Sequence, residues 1–137
     1  MSVKDIRWEQ RFSNYQKALE RISEVVNKSN LTDLSELEVE GFIQRFEYTY
    51  ELAWLTLQDL FKYQSYTDIT GPGPVFEQAF KNELINNAEG WQRLKKSRQL
   101  TSHTYDSNTA KEIAQEVINE YYGLFKHLEE KLEKLKS

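Results

Sequence analysis

The sequence predicts an all-α protein, a four-helix up-and-down bundle with one extra short helix. Apolar residues recur at intervals of three and four along most of the chain, as expected for helices with one buried face. No alternating apolar and polar run is long enough for a strand. Glycine (five residues) and proline (two residues) are sparse, and only residues 71–74 gather them. We therefore expect a single helical-bundle domain over residues 1–137.

The first helix is predicted over residues 5–26, and the polar segment that follows, to residue 34, is predicted to be a loop. Ser35 and Glu38 have the spacing of a capping box, in which each side chain accepts a backbone N–H at a helix start. The second helix is therefore expected over residues 36–63, and its apolar stripe is wide enough to contact two neighbours. The two stripes consist of Trp8, Phe12, Tyr15, Leu19, Ile22 and Val26, and of Phe42, Phe46, Tyr50, Ala53, Leu57 and Leu60.

Three further helices are predicted in the second half of the chain. Pro74 suits a first helical turn, where its missing N–H is harmless, so the third helix is expected from there to residue 86. A short fourth helix is expected over residues 89–100, and a polar connection over residues 101–107 leads to a long fifth helix over residues 108–134. The inward residues are expected to be Phe76, Ala79, Phe80 and Leu84 in the third helix, and Ala110, Ile113, Val117, Tyr121, Leu124, Leu128 and Leu132 in the fifth.

The composition excludes several classes of protein. The chain has no cysteine, which excludes disulfides, thiolate zinc sites and cysteine nucleophiles, and its two histidines make a multi-histidine metal site improbable. We expect no metal and no cofactor. The net charge of −4 argues against binding to duplex DNA, which normally needs a basic face. No stretch is apolar enough to span a membrane and the N-terminus lacks a signal-peptide core, so we expect a cytoplasmic protein.

The most unusual segment lies at the end of the fourth helix and just after it, in residues 98–106 (RQLTSHTYD). Arg98 shares a helix face with Trp91, so the apolar face of this helix ends in a guanidinium. His103 and Tyr105 follow in the polar connection. Arginine binds phosphate bidentately, histidine moves protons near neutral pH, and tyrosine offers a hydroxyl and a stacking face. These side chains are typical of a site that handles a phosphate or a nucleotide.

The same residues also have a purely structural interpretation, that of a helical scaffold without a ligand. An inward arginine often pairs with a carboxylate, and Glu47 and Glu51, one turn apart in the second helix, are suitable partners. His103 can cap a helix, and Asp106 is most economically the N-cap of the fifth helix. Motifs of nucleoside-triphosphate loops, dinucleotide folds, zinc hydrolases and serine hydrolases are absent. The residues by themselves leave both interpretations open.

Two strings of residues resemble a known family. Residues 46–54 (FEYTYELAW) and residues 100–106 (LTSHTYD), with Trp91 and Arg98 between them, are similar to the signature of the nucleotidyltransferase substrate-binding proteins. The similarity extends from the first helix to the fifth, over essentially the whole chain. Members of that family resemble small helical bundles of the HEPN group, which dimerise. They are typically encoded beside a minimal nucleotidyltransferase of the polymerase β type.

The resemblance implies a substrate-binding or target subunit that forms a homodimer and has a minimal nucleotidyltransferase as its partner. Such transferases carry a Gly-Ser motif, which this chain lacks, so the transfer chemistry would belong to the partner. A nucleotide or RNA is the implied ligand. The implied site residues are Arg98 to hold a phosphate, His103 and Tyr105 to contact or accept a nucleotide, and Glu47, Glu51 and Asp106 in support.

The alternative that the resemblance implies is an RNA-cleaving toxin. Many HEPN domains are similar to RNases with an Arg-x4–6-His motif, which Arg98 and His103 match, and some extend it by a tyrosine, which Tyr105 matches. In such pairs the transferase neutralises the toxin by adding AMP to that tyrosine. Gln99 departs from the asparagine that commonly follows the arginine. RNA cleavage needs both a proton acceptor and a proton donor, so one histidine per chain requires a dimer that brings two sites together.

Overall fold

The computed structural model describes residues 7–28, 30–103 and 106–136. These residues form the helices α1 (Arg7–Lys28), α2 (Glu36–Tyr63), α3 (Pro72–Lys81), α4 (Ala88–Leu100), α5 (Ser107–Glu116) and α6 (Tyr122–Leu135). A π-helical turn, Val117–Tyr121, joins α5 to α6, and short 3-10 turns occur at Leu31–Asp33 and Thr101–His103. No strand occurs in the described residues, so the all-α prediction is confirmed.

Side-chain caps define the starts of three helices. Ser35 Oγ accepts the Glu38 N–H at 3.1 Å and Glu38 Oε1 accepts the Ser35 N–H at 2.9 Å, which confirms the predicted capping box of α2. The hydrogen bond from the Ser35 backbone holds the pKa of Glu38 below its usual value of 4.5. Asp106 caps α5 as predicted, because its Oδ1 accepts the Asn108 N–H at 3.0 Å. The fourth helix, α4, starts at an Asn87 cap, described next.

The start of α4 depends on a glycine. Asn87 Oδ1 accepts the Gly90 N–H at 2.9 Å. A Cβ at position 90 would lie 2.7 Å from Asn87 Nδ2, closer than real Cβ contacts allow, so the capping side chain needs a glycine beneath it. This cap places the first turn of α4, and with it the face that leads to Arg98.

The first two long helices, α1 and α2, pack antiparallel. Arg11 of α1 donates to Asp59 of α2 at 3.0 Å, whereas Arg45 of α2 donates to the backbone carbonyl of Arg21 of α1 at 2.9 Å, so the two helices run in opposite directions. The α2 helix also packs against α3, α4 and α5, which confirms the prediction that its wide stripe contacts at least two neighbours. The α6 helix also contacts α1, where the Tyr15 hydroxyl donates to the Phe125 backbone carbonyl at 2.7 Å.

The predicted apolar stripes form one core. Aromatic rings join its layers: Phe46 of α2 stacks on Tyr121 with centroids 5.7 Å apart, and Trp91 of α4 meets Phe125 of α6 edge to face at 5.9 Å. Of the stripe residues, Val26 is only partly buried, and the others of α1, α2 and the α5–α6 segment are buried. The buried set includes Trp8, Phe12, Tyr15, Leu19, Ile22, Phe42, Phe46, Tyr50, Ala53, Leu57, Leu60, Ala110, Ile113, Val117, Tyr121, Leu124, Leu128 and Leu132.

The third helix differs from its prediction at both ends. It begins at Pro72 and ends at Lys81, five residues earlier than expected. Glu83 has a φ of 61°, and the Leu84 N–H donates to the Ala79 carbonyl at 2.9 Å, as in a Schellman motif. Leu84 is buried as predicted.

Phe80, predicted to face inward, is 46% exposed. The inward face of this short helix centres on Val75 and Ala79, both fully buried, and Phe80 lies to one side of it. The first helix likewise ends at Lys28 rather than at residue 26. Within residues 7–28, 30–103 and 106–136, no helix is both long enough and apolar enough to cross a membrane.

Candidate functional site

Arg98 lies in the last turn of α4, on the face that Trp91 and Leu94 bury in the core. Those two side chains are 5% and 0% exposed, whereas the Arg98 side chain is 28% exposed. The α4 stripe therefore ends in a cation at the edge of the core, as the sequence predicts. Because this cation is partly removed from water, its neighbours must supply most of its contacts.

Two carboxylates of α2 supply the counter-charge. Arg98 Nη1 lies 3.2 Å from Glu47 Oε2, and Arg98 Nη2 lies 3.8 Å from Glu51 Oε1. The second distance is too long for a hydrogen bond, so Glu51 contributes charge alone. Glu51 is instead fixed by Trp54, whose indole Nε1 donates to Glu51 Oε2 at 3.0 Å. The ion pairing that the structural interpretation expects for Arg98 is therefore present.

Thr101 completes the group and was not predicted from the sequence. Its hydroxyl accepts from Arg98 Nη1 at 2.9 Å and lies 3.0 Å from Glu47 Oε2. It also lies 2.6 Å from the Arg98 backbone carbonyl, and its one hydrogen can serve only one of these two acceptors at a time. Thr101 is buried at the start of the 3-10 turn that follows α4. We refer to Arg98, Glu47, Glu51 and Thr101 as the Arg98 cluster.

The Arg98 guanidinium is incompletely satisfied by this cluster. Its Nε is buried and has no hydrogen-bond partner in the described residues. Its Nη2 makes no hydrogen bond to them either, since Glu51 is 3.8 Å away. Two carboxylates face one guanidinium, so the cluster is net negative. Arg98 therefore keeps donor capacity that Glu47, Glu51 and Thr101 do not use.

Tyr50 lies next to this cluster on the core side. It is 4% exposed, and burial raises the pKa of its phenol above the usual value of 10.0. The negative charge of Glu51 raises this pKa further, and the positive charge of Arg98 opposes the rise. The Tyr50 hydroxyl is therefore neutral throughout the physiological range. Its ring lies 5.7 Å from that of Phe76, which connects the cluster to α3.

The remaining predicted site residues have different positions. The backbone of His103 ends the 3-10 turn Thr101–His103, five residues after Arg98, whereas its side chain lies outside what the structure describes. Tyr105 lies outside the described residues altogether. Asp106 accepts from the Asn108 N–H and, at 3.3 Å, from the Thr109 hydroxyl, so its carboxylate serves the first turn of α5. The described contacts thus bring Glu47, Glu51 and Thr101 to Arg98 and leave Asp106 apart.

In the part of the chain that the structure describes, no group of three or more histidine, aspartate or glutamate side chains is close enough to hold a metal ion. The chemistry that the site offers is therefore that of a partly free guanidinium beside carboxylates, with a phenol behind it. Unused guanidinium N–H groups match the oxygens of a phosphate or a carboxylate, whereas the two neighbouring carboxylates oppose the binding of a free anion.

Comparison with known proteins identifies the family of the chain. A search of curated proteins finds no match. The family model described as "nucleotidyltransferase substrate binding protein like" matches residues 10–134, from the second turn of α1 to the last turn of α6. This match spans all the helices and includes every member of the Arg98 cluster. The chain therefore belongs to the nucleotidyltransferase substrate-binding-protein-like family.

Proposed function

We propose that this chain is the non-catalytic partner of a separate minimal nucleotidyltransferase of the polymerase β type, in the manner of HEPN proteins, as a single cytoplasmic domain. It binds the substrate of that enzyme or is itself the target. The observation that carries the proposal is the incompletely satisfied Arg98 guanidinium at the start of the RQLTSHTYD segment. The family match over residues 10–134 supports it. The transferase supplies the metal-binding and catalytic groups.

Arg98 is the residue that holds the phosphate in this proposal. Its Nη2 lies 3.8 Å from Glu51 and makes no hydrogen bond to the described residues, so a phosphate oxygen can take this donor without breaking one. Nη1, by contrast, is already bound to Thr101 at 2.9 Å. The two carboxylates repel a free phosphate, which favours a ligand that is delivered by the partner over one captured from solution. His103 and Tyr105 contact that ligand or receive its nucleotidyl group.

Tyr105 is the proposed acceptor. Its phenol attacks the α-phosphate of ATP, forms a phosphodiester-type bond to AMP and releases pyrophosphate, while a base removes the phenolic proton. A phenol with a pKa of about 10 is a weak nucleophile at neutral pH, so His103 or a carboxylate of the transferase must accept that proton. The attached phosphate then makes a charge-assisted contact with Arg98.

The test is to incubate the chain with the transferase encoded beside it, ATP and Mg²⁺, and to measure the intact mass. We expect the addition of one or more AMP units to wild type and to Tyr63→Phe, a control at a 44% exposed tyrosine. We expect none in Tyr105→Phe and a slower addition in Arg98→Gln. Addition that persists in Tyr105→Phe contradicts Tyr105 as the acceptor. If the transferase is active on another acceptor but adds no AMP to this chain, the chain is not the target. The remaining role is then presentation of the substrate, which co-purification of the two chains tests.

A homodimer is part of the proposal. Large apolar side chains are exposed next to the Arg98 cluster in the sequence: Tyr48, which follows Glu47, is 60% exposed and Leu100, which precedes Thr101, is 42% exposed. In the proposed dimer, the contact between the two copies would cover these side chains. Light scattering should give about twice the chain mass of 16.3 kDa. A monomer at tens of micromolar would contradict the dimer.

The alternative function is a metal-independent RNase that uses Arg98 and His103. The observation that favours it is the continuity of the backbone, because α4 and the 3-10 turn place both residues at the same end of the bundle. The net negative charge of the Arg98 cluster disfavours it, since RNA is a polyanion. Arg98→Ala should lower RNA cleavage by roughly 10²–10⁴-fold if the alternative holds, and Arg93→Ala, a change on the same helix, should leave it unchanged. Absence of cleavage by wild-type protein excludes this function.

A further inference from the structure

A second concave surface lies between α3 and α4, away from the residues of the Arg98 cluster. An open groove of about 370 Å³ runs between these helices, which is within the size range of small-molecule sites. Phe76, Ile85 and Trp91 form its floor, and Phe80 stands at its side. Ile85 and Trp91 are buried, whereas Phe80 is 46% exposed. Because the Phe80 ring is partly exposed beside the groove, it can stack on an aromatic ligand.

The charges on the rim of the groove are not balanced. Lys81 and Lys95 lie on the rim with one carboxylate, that of Glu77. Glu77 and Lys81 are neighbours on α3 and their charged atoms are 3.6 Å apart, so these two charges offset each other. Lys95 is exposed and makes no ion pair with any described residue. The groove therefore offers aromatic walls and one uncompensated ammonium group.

We propose that this groove binds a flat aromatic ring that carries one anionic group. The ring lies over the apolar floor against Phe80, and the anion pairs with Lys95. A nucleoside monophosphate and an aromatic carboxylate both have this chemistry. The proposal goes beyond the function proposed above, because the groove contains no member of the Arg98 cluster and its occupation needs no transferase.

Position along α4 explains why the two sites are separate. Lys95 and Trp91 are four residues apart and so lie on the same side of this helix. Arg98 lies one turn beyond Lys95, where it turns toward Glu47 and Glu51 of α2. The α3–α4 groove and the Arg98 cluster are therefore adjacent but have different neighbours, and variants can remove one without the other.

The first experiment is a calorimetric titration with two charged probes and their neutral analogues. The pairs are AMP with adenosine, and indole-3-acetate with the corresponding indole-3-ethanol. We expect at least one charged probe to bind about tenfold more tightly than its neutral analogue, as a charge-assisted contact to Lys95 requires. The pair that shows the difference identifies the phosphate or the carboxylate as the anion.

Variants then locate the binding. Lys95→Gln should reduce the affinity for the charged probe to that for its neutral analogue, and Lys96→Gln, the exposed neighbour that does not line the groove, should leave both affinities unchanged. Phe80→Ala should weaken the binding of charged and neutral probes alike. Tyr63→Ala is its matched control, because Tyr63 is 44% exposed at the end of α2 and does not line the groove.

A magnetic-resonance measurement gives an independent location. The indole N–H signal of Trp91, assigned with Trp91→Phe, should shift on titration, whereas those of Trp8 and Trp54 should not. These titrations contain no transferase, so a failure of this proposal is distinct from a failure of the proposed function. The proposal is overturned if neither anion binds at about 10 mM, if Lys95→Gln and Phe80→Ala bind as wild type, or if the Trp91 signal stays fixed.

Discussion

Arg93 and Arg98 lie on the same helix, α4, but their ion pairs differ in geometry. Arg93 donates from Nε and Nη2 to the two carboxylate oxygens of Glu120, both at 2.8 Å. Arg98 contacts its two carboxylates at 3.2 and 3.8 Å, and its buried Nε has no partner among the described residues. Yet Arg93 is the more exposed side chain, 51% against 28% for Arg98. The ion pair with the better geometry is therefore the more exposed one, where solvent screening reduces its contribution to stability.

This difference shows which arginine has a purely structural explanation. Arg93 ties α4 to the π-helical turn, and its donors are matched by the planar carboxylate of Glu120. Arg98 is held by Glu47 and Thr101 and keeps donors that no described residue uses. A side chain that served the fold alone would be better matched at lower exposure. The unused donors of Arg98 therefore support the proposed contact with a ligand.

The largest expected effect breaks the Arg98 cluster. Arg98→Met keeps most of the apolar stem but leaves Glu47 and Glu51, two like charges one turn apart, without a cation. A fully buried pair costs roughly 3–5 kcal/mol to break from one side, and the 28% exposure of Arg98 reduces this to about 2 kcal/mol of the free energy of unfolding. Urea unfolding measures it. Arg93→Met is the control and should cost less; an equal loss would contradict the contrast between the two arginines.

A double-mutant cycle sharpens the comparison within the cluster. Glu47 is 3.2 Å from Arg98 and shares Thr101 with it, so Arg98→Met and Glu47→Gln should couple by about 1 kcal/mol. Glu51 is 3.8 Å away and is bound to Trp54, so the cycle with Glu51→Gln should give a smaller coupling energy. Urea unfolding of the single and double variants supplies both values. A larger coupling to Glu51 would reverse the assignment of the principal partner.

Two buried threonines of α2 extend the same contrast to uncharged groups. Thr49 Oγ1 donates to the Arg45 carbonyl at 2.7 Å, whereas Thr56 Oγ1 is buried without a partner in the described residues. Thr56→Val should therefore raise the free energy of unfolding by about 1 kcal/mol, because it removes an unsatisfied hydroxyl at nearly constant volume. Thr49→Val should lower it or leave it unchanged. Thermal unfolding measures both, and destabilisation by Thr56→Val would show that its hydroxyl has a partner in solution.

The smallest effect is the pH dependence of the Arg93 pair. The hydrogen bond from Arg93 holds the pKa of Glu120 below its usual value of 4.5. A lowered folded-state pKa contributes stability that is complete above the unfolded pKa of about 4.3 and is lost as the pH falls through the folded value. The stability difference between wild type and Arg93→Gln should thus be constant near neutral pH and shrink below about pH 4.3. In a Glu120→Gln background the effect of Arg93→Gln should not vary over this range.

The helices were predictable because their signals are local. The apolar period, the Ser35–Glu38 capping box and the Asp106 cap each act within a few residues. The end of α3 was not predictable from such signals, because Glu83 takes the left-handed position, with a φ of 61°, that glycine usually occupies after a helix. Ser65 does the same after α2, with a φ of 72°. The end of α2 at Tyr63 was nevertheless predicted correctly, because the apolar stripe of this helix ends close to that residue.

The candidate site was predictable only where it depends on the period of one helix. The spacing of Arg98 and Trp91 indicates an inward guanidinium, and the spacing of Glu47 and Glu51 indicates two carboxylates on one face of α2. The part played by Thr101 depends on how the 3-10 turn after α4 meets α2, and no sequence pattern reports that. The α3–α4 groove depends in the same way on where α3 ends and how it lies over α4.

The π-helical turn at Val117–Tyr121 has a consequence for chain length. Successive residues of a regular α-helix are rotated by about 100° around its axis. Loss of one residue from α5 or α6 would therefore rotate the apolar residues on one side of the deletion away from the core. A π-helical turn holds one residue more than the α-helical turn it replaces. Removal of the exposed Asn119 would convert it to an α-helical turn while Ile113 and Leu124, on either side, keep facing the core. The helical run over residues 107–135 thus contains a position where the chain can shorten without loss of register.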